Sequence, residues 1–231
     1  MRIYGPDVAE VAAGLVDAYD EIFSAPPWNE SAGAAEEYAR RLDADRLRPG
    51  FLAVVAGRGE AVDGFATGWT TPDPFPAERS FGRVAAQLGP RRTARLLTGA
   101  FQIDELAVRE RARRTGLGRR LLDAALSAAA TASGGAAAPT AVTAPGGPPA
   151  PAPAPGGPPA PAPALAPGAP PAASADRRAW LLTDRKADAA VAFYRRCGWH
   201  EVVPLPGAEG GNVVVFLAPG HPDAALAGDA R

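Results

Sequence analysis

Phe101–Ser127, FQIDELAVRERARRTGLGRRLLDAALS, decides how this chain folds. Phe101–Val108 sets apolar Phe101, Ile103, Leu106, Ala107 and Val108 around two acids, the composition of a largely buried strand. Beyond Gly116, leucines at 117, 121, 122 and 126 recur at helical spacing. The link between strand and helix, Arg109–Arg120, holds six arginines against one acid, Glu110. A helix N-terminus carries unsatisfied N–H groups and the positive end of the helix dipole, so an anion placed there gains hydrogen bonds and favourable electrostatics together. Gly116 and Gly118 remove side chains that would hold a phosphate off, and Arg113, Arg114 and Arg119 can add charge-assisted bonds to a pyrophosphate. The competing reading is a solvated basic turn opening a surface helix. The two glycines and the buried strand in front of them favour the anion site.

Upstream, Val8, Val11, Ala12, Leu15, Val16, Tyr19, Ile22 and Phe23 form an apolar stripe at helical spacing, with Pro6 at an early helical position. Ala25–Glu30 breaks this helix, and a second is expected from about Ser31 to Leu47, burying Tyr38 and Leu42. Trp28, directly after two prolines, is either a core plug at the turn or the wall of a ligand pocket. Phe51–Ala56 and Val62–Trp69 read as a hairpin. Thr70–Gly99 is longer than a hairpin connection needs and includes a predicted helix at 81–97 with exposed arginines. Downstream, Arg178–Thr183 reads as a strand and Ala187–Cys197 as a helix stopped by Gly198. His200–Val203 and Asn212–Leu217 are two further strands.

Residues 134–175 differ in kind. They hold 14 of the chain's 26 prolines, and Pro145–Ala154 recurs identically at Pro155–Ala164. A tandem decapeptide without large apolar side chains cannot offset its ordering entropy, so a disordered, partly polyproline II insertion is expected there. The remaining 189 of 231 residues suit a single domain, 1–133 plus 176–220, with a frayed tail at 221–231. A formal net charge of −1 offers no bulk electrostatic case for nucleic acid or an anionic membrane. Pro6, Asp7, Glu10 and Asp17 interrupt the N-terminal apolar run, unlike a signal peptide, and no run reaches bilayer length. One cysteine excludes an internal disulfide, and two histidines are too few for the usual zinc site. The expectation is a cytoplasmic, metal-free protein, monomeric or homodimeric, with no nucleic-acid or membrane partner.

Arg113–Gly118, RRTGLG, resembles the Arg/Gln-x-x-Gly-x-Gly/Ala signature of the GCN5-related N-acetyltransferases (GNAT), directly after a strand ending Leu-Ala-Val as in that family. A second segment, Ala189–Trp199, resembles the family's small-residue helix in which a tyrosine is followed four residues later by glycine and an aromatic. The resemblance implies a mixed α/β fold: a mostly antiparallel central sheet with helices on both faces. It implies acetyl-CoA as co-substrate, held by Leu106, Ala107 and Val108 and by Arg113, Arg114, Thr115, Gly116, Leu117, Gly118 and Arg119. It implies Tyr194 as general acid to the leaving thiolate, and as acceptor a primary amine of a small molecule or peptide. Trp28, Glu30, Trp69 and Phe75 come from the segments that build the acceptor pocket in similar proteins. Two departures stand out: a short first strand exists only if Arg2–Tyr4 supplies it, and Lys186-Ala187-Asp188 replaces an asparagine with which many relatives contact the cofactor.

Asp104 and Glu105 are the candidate bases. Successive strand residues point to opposite faces, so one at most is expected to face the acceptor cleft, with Asp104 favoured. Water as base, ammonium binding or a structural role are the alternatives. Cys197 has no histidine close in sequence and reads as a small core residue. The rival to an enzyme is a CoA-binding sensor or partner-binding module. A dinucleotide site is disfavoured because Gly116-Leu117-Gly118 lacks the third spaced glycine.

Overall fold

The computed structural model describes residues 1–58, 61–78, 80–134, 178–208 and 211–228. The proline-rich insertion, its tandem repeat included, lies outside the described residues except for Gly134, which ends a helix.

Seven strands form one sheet: β1 (Arg2–Tyr4), β2 (Leu52–Arg58), β3 (Ala61–Thr70), β4 (Phe101–Val108), β5 (Ala179–Asp184), β6 (His200–Glu201) and β7 (Val213–Leu217). Their order is β1-β2-β3-β4-β5-β7-β6. Only β4 and β5 run parallel. Five helices cover it: α1 (Ala12–Phe23), α2 (Ala34–Asp45), α3 (Phe81–Leu96), α4 (Leu117–Gly134) and α5 (Asp188–Arg196). The mixed, mostly antiparallel sheet expected from the sequence is therefore present, and Arg2–Tyr4 does supply its first strand. No helix among the described residues is long and apolar enough to cross a membrane.

Alternation along the strands builds two cores. Ala53, Val55 and Phe65 face the side covered by α1, α2 and α3, where Leu15, Tyr19, Tyr38 and Leu88 pack. Leu52, Val54, Ala66 and Ile103 face α4 and α5, meeting Leu121, Leu122 and Val191. Burial of these side chains supplies the main driving force for the fold, at roughly 25 cal/mol per Å² of apolar surface removed from water.

Three local expectations change. The first helix is divided: Pro6–Val11 is a 3-10 turn, and Val11, with φ −119° and ψ 8°, precedes the α-helix proper. The helix at 81–96 is kinked at Gly89, where Pro90 has no N–H to continue the ladder. The tail expected to fray from 221 is docked through Gly228. Arg92 of α3, buried rather than exposed, donates to the carbonyls of Val203 (2.7 Å), Leu226 (3.2 Å) and Ala227 (3.1 Å). The Val203 N–H also donates to Ala227, and the His221 ring bonds the Leu96 carbonyl. A buried guanidinium that satisfies three carbonyls gives the terminal segment an anchor that its small side chains lack.

Candidate active site

The site begins where two parallel strands part. β4 pairs with β5 only from Phe101 to Ile103. Beyond that point Leu182–Asp184 continue in register with β7 alone. The next residue of β4, Asp104, is a bulge: Ile103 sits opposite Gly68 and Glu105 opposite Thr67, leaving Asp104 without a partner on β3. Two cavities border the stretch of β4 beyond this point, and Leu106 lines both.

The first, about 620 Å³, lies between the N-terminus of α4 and the start of α5. Arg113, Arg114, Arg119 and Arg196 line it together with Gly116, Gly118 and apolar Leu106, Val108 and Phe193, and its wall contains no acidic residue. The backbone N–H groups of residues 114–119 donate to no backbone carbonyl among the described residues, and the next, Arg120, bonds back to Gly116. Gly116 has φ 78°, a left-handed conformation that a side chain would strain. Gly118 serves packing: a Cβ there would stand 3.2 Å from the Phe193 ring, so its absence lets α4 and α5 approach closely. Four cations, a row of free donors and apolar flanks fit a polyphosphate group carrying an apolar arm.

Not every arginine of the turn serves this cavity. Arg109 is buried under the sheet, where it pairs with Asp17 and Glu21 and donates to the Val62 carbonyl at 2.8 Å. Arg111 pairs with Asp63 at 2.9 Å. Thr115 faces away, its hydroxyl capping the Ala112 carbonyl. Arg196 was missed, because nothing local to α5 distinguishes it from its neighbour Arg195, which pairs with Glu201.

The second cavity, about 440 Å³, opens between α1, α3 and the parting strands. Asp104 and Glu105 both line it, against the alternation expected of a regular strand. The bulge is the reason, since the extra residue re-aims consecutive side chains. Glu105 is bridged to Arg41 at 3.0 Å, Arg41 reaches the Tyr19 hydroxyl at 3.4 Å, and that hydroxyl donates to Glu30 at 2.8 Å. Trp28 lines both cavities, its ring tilted against Phe23 at 5.4 Å, so it is a pocket wall rather than a plain core plug. Trp69 and Phe75 line neither. Trp69 is buried beneath Arg48, and Phe75 packs on Phe81 and Trp180, as part of the core beneath the cavity. Tyr19, Arg41, Gln102 and Asp184 join the cavity without a sequence signal, since they come from four separate elements.

Tyr194 stands between the two cavities and lines both. Its ring is held by Phe193, Trp199 and Phe216 at 5.3, 6.1 and 5.6 Å. Burial, reinforced by the nearby Glu105 and Cys197, pushes its phenol above the ordinary value of 10.0. The hydroxyl makes no hydrogen bond among the described residues. Cys197 sits half-buried on the same core, and burial raises its thiol as well, the opposite of an activated nucleophile. Among the described residues no group of three or more His, Cys, Asp or Glu is placed to hold a metal ion.

The sequence matches the acetyltransferase (GNAT) family model over residues 15–150. The chain belongs to the GNAT acetyltransferase family. Solved structures resemble this family member over most of its length. An acetyltransferase from Thermus thermophilus is 14% identical, with 95% of this chain and 97% of that one covered at a TM-score of 0.48. YncA from Salmonella typhimurium, solved with acetyl-CoA, is 15% identical over 94% and 91% of the two chains at 0.47. A ribosomal-protein-alanine N-acetyltransferase from Brucella melitensis is 17% identical over 94% and 97% at 0.43. No curated protein sequence matches the chain.

Proposed function

We propose that the protein is an acetyl-CoA-dependent N-acetyltransferase that acetylates a primary amine of a small molecule or peptide, with Tyr194 as general acid. One observation carries this reading: a cavity lined by four arginines and a cavity lined by four carboxylates meet at a single buried tyrosine. The first suits the phosphates and pantetheine arm of acetyl-CoA, held by the N–H groups at the α4 N-terminus and by Arg113, Arg114, Arg119 and Arg196. Leu106 and Val108, on the stretch of β4 that β5 leaves unpaired, offer backbone N–H groups to the arm and to the oxyanion, while the N–H of Ala107 between them is turned to β3.

Bound acetyl-CoA supplies a thioester carbonyl for amine attack and a thiolate as leaving group. The Tyr194 hydroxyl donates its proton to the departing sulfur, and its raised pKa keeps it protonated until that moment. Asp104, which accepts from the Gln102 amide, is the proposed base, and Glu105 is bridged to Arg41. Asp104 takes the amine proton directly or through water as the C–N bond forms and the C–S bond breaks. The apolar wall of Trp28, Leu106 and Ala190 limits water at the junction and so limits hydrolysis.

Calorimetric titration with acetyl-CoA tests the binding half. Wild type should bind, and the Arg113→Ala, Gly116→Glu double variant should not, since it removes a cation and places an anion in the left-handed turn. A thiol-release assay over a panel of amines tests the chemistry. No acetyl-CoA binding by wild type would sink the proposal.

A further inference from the structure

The carboxylate-lined cavity contains a buried polar atom that the reaction above does not use. Gln102 is only 2% exposed, and its Nε2 donates to Asp104 Oδ1 at 3.3 Å. A carboxylate can only accept, so the amide nitrogen must be the atom that faces Asp104. The carbonyl oxygen, Oε1, is thereby left buried with no hydrogen-bond partner among the described residues, on a side chain that lines the cavity. A buried acceptor without a donor is costly, which marks a position where a donor from outside is expected.

The charge of the same cavity narrows the class of donor. Glu30, Asp104, Glu105 and Asp184 line it together with two arginines, Arg41 and Arg83, a formal excess of two negative charges among the lining side chains. Arg41 is committed to Glu105. Glu30 and Asp184 form no ion pair among the described residues; each is held by a neutral donor instead, Glu30 by the Tyr19 hydroxyl and Asp184 by the Lys186 N–H, both at 2.8 Å. Those bonds fix the carboxylates without neutralising them.

We propose that the acceptor is a diamine. Its reacting amino group donates to Gln102 Oε1 beside Asp104, and its second ammonium is taken by the unneutralised carboxylates Glu30 and Asp184. Arg83, hydrogen-bonded to Ser80 at 3.0 Å, is the one feature that favours an acceptor carrying an anion. The excess of two negative charges outweighs it. This inference rests on the N-acetyltransferase reading.

The test compares thiol release with three probes that differ only at the far end of a four-carbon amine: 1,4-diaminobutane, butylamine and 4-aminobutanoate. After the statistical factor of two for its equivalent amines, 1,4-diaminobutane should exceed butylamine in kcat/KM by roughly threefold to tenfold, as partly exposed ion pairs allow. 4-Aminobutanoate should be the poorest. In the Glu30→Gln, Asp184→Asn double variant the advantage of the diamine should vanish. Gln102→Leu should lower kcat/KM for all amines roughly tenfold to a hundredfold, the loss of a hydrogen bond to a charged group. Its Tm and acetyl-CoA Kd should hold, which a merely structural glutamine would not allow. Equal rates for diamine and butylamine, or a preference for 4-aminobutanoate, overturn the inference while leaving the acetyltransferase reading standing. If acetyl-CoA binds but no probe is acetylated, calorimetric binding of 1,4-diaminobutane against butylamine decides: selective binding supports the diamine site, and no selectivity overturns it.

Discussion

Replacing Tyr194 with phenylalanine removes one oxygen and leaves every ring contact in place. The ring stays packed on Phe193, Trp199 and Phe216, and the lost hydroxyl had no hydrogen-bond partner among the described residues. Stability should therefore change by less than about 1 kcal/mol, since no intramolecular hydrogen bond to a described residue is broken. Catalysis should suffer far more. General acid assistance contributes roughly 10² to 10⁴ in rate, so kcat of Tyr194→Phe should fall by that factor, about 2.7 to 5.5 kcal/mol in the barrier. The acetyl-CoA Kd should stay within about twofold, because the substitution leaves the arginines and the α4 N-terminus proposed to hold the phosphates unchanged. Steady-state thiol release, thermal unfolding and calorimetric titration on one preparation separate these quantities. The pH profile adds a second check. Burial, then the Glu105 and Cys197 charges, hold the phenol above 10.0, so Tyr194 stays protonated through neutral pH and contributes no fall in kcat below pH 10. A kcat within threefold of wild type, with unchanged Tm, would refute the assignment and give the proton to water.

Arg109→Met should lower stability by about 1 to 3 kcal/mol, because the Val62 carbonyl loses its buried donor, while exposed Asp17 and Glu21 can rehydrate. Its acetyl-CoA Kd should not move, and a loss of binding would return Arg109 to the anion turn. Tyr38→Phe should stabilise the protein by about 1 kcal/mol at pH 7, since the Tyr38 hydroxyl is buried without a partner. Thermal unfolding reads this as a rise of a few degrees, and a fall would mean that the hydroxyl has a bond. Burial, the largest cause in each case, raises Tyr19, Tyr38 and Tyr194 above the ordinary value. Above pH 10 the unfolded chain therefore gives up protons that the folded protein keeps, and stability falls as pH rises through the folded values. Tyr38→Phe, with one such group fewer, should show the shallower fall.

Which parts of this site were legible in the chain depends on how local their signals are. β4 and the helix after it could be read because hydrophobic period and glycine placement are properties of a few consecutive residues. The anion turn was legible for the same reason: backbone N–H groups at a helix start need only the right local sequence. Arg109 defeated this logic. It lies in the same basic run as Arg113, yet Asp17 and Glu21, some ninety residues away in sequence, draw it inward. The docked end of the chain was hidden likewise, since Arg92 anchors carbonyls more than a hundred residues distant.

The acidic cavity shows the division most clearly. Sequence placed Asp104 and Glu105 on one strand, and strict alternation then put them on opposite faces. The bulge opposite Thr67 and Gly68 brings both into one cavity, and a bulge is a property of the pairing with β3, not of β4 alone. The parting of β4 from β5 after Ile103, the convergence of Arg41, Gln102 and Asp184, and the exclusion of Trp69 and Phe75 are also matters of how elements meet. By itself the sequence determined the strand–turn–helix, the basic residues of its turn and the tyrosine helix, because periodicity and helix-end chemistry act over a few residues. The tertiary structure alone decided which charges neutralise one another and which remain free for a substrate, because Coulomb and hydrogen-bond partners are chosen by distance in space and not by distance along the chain.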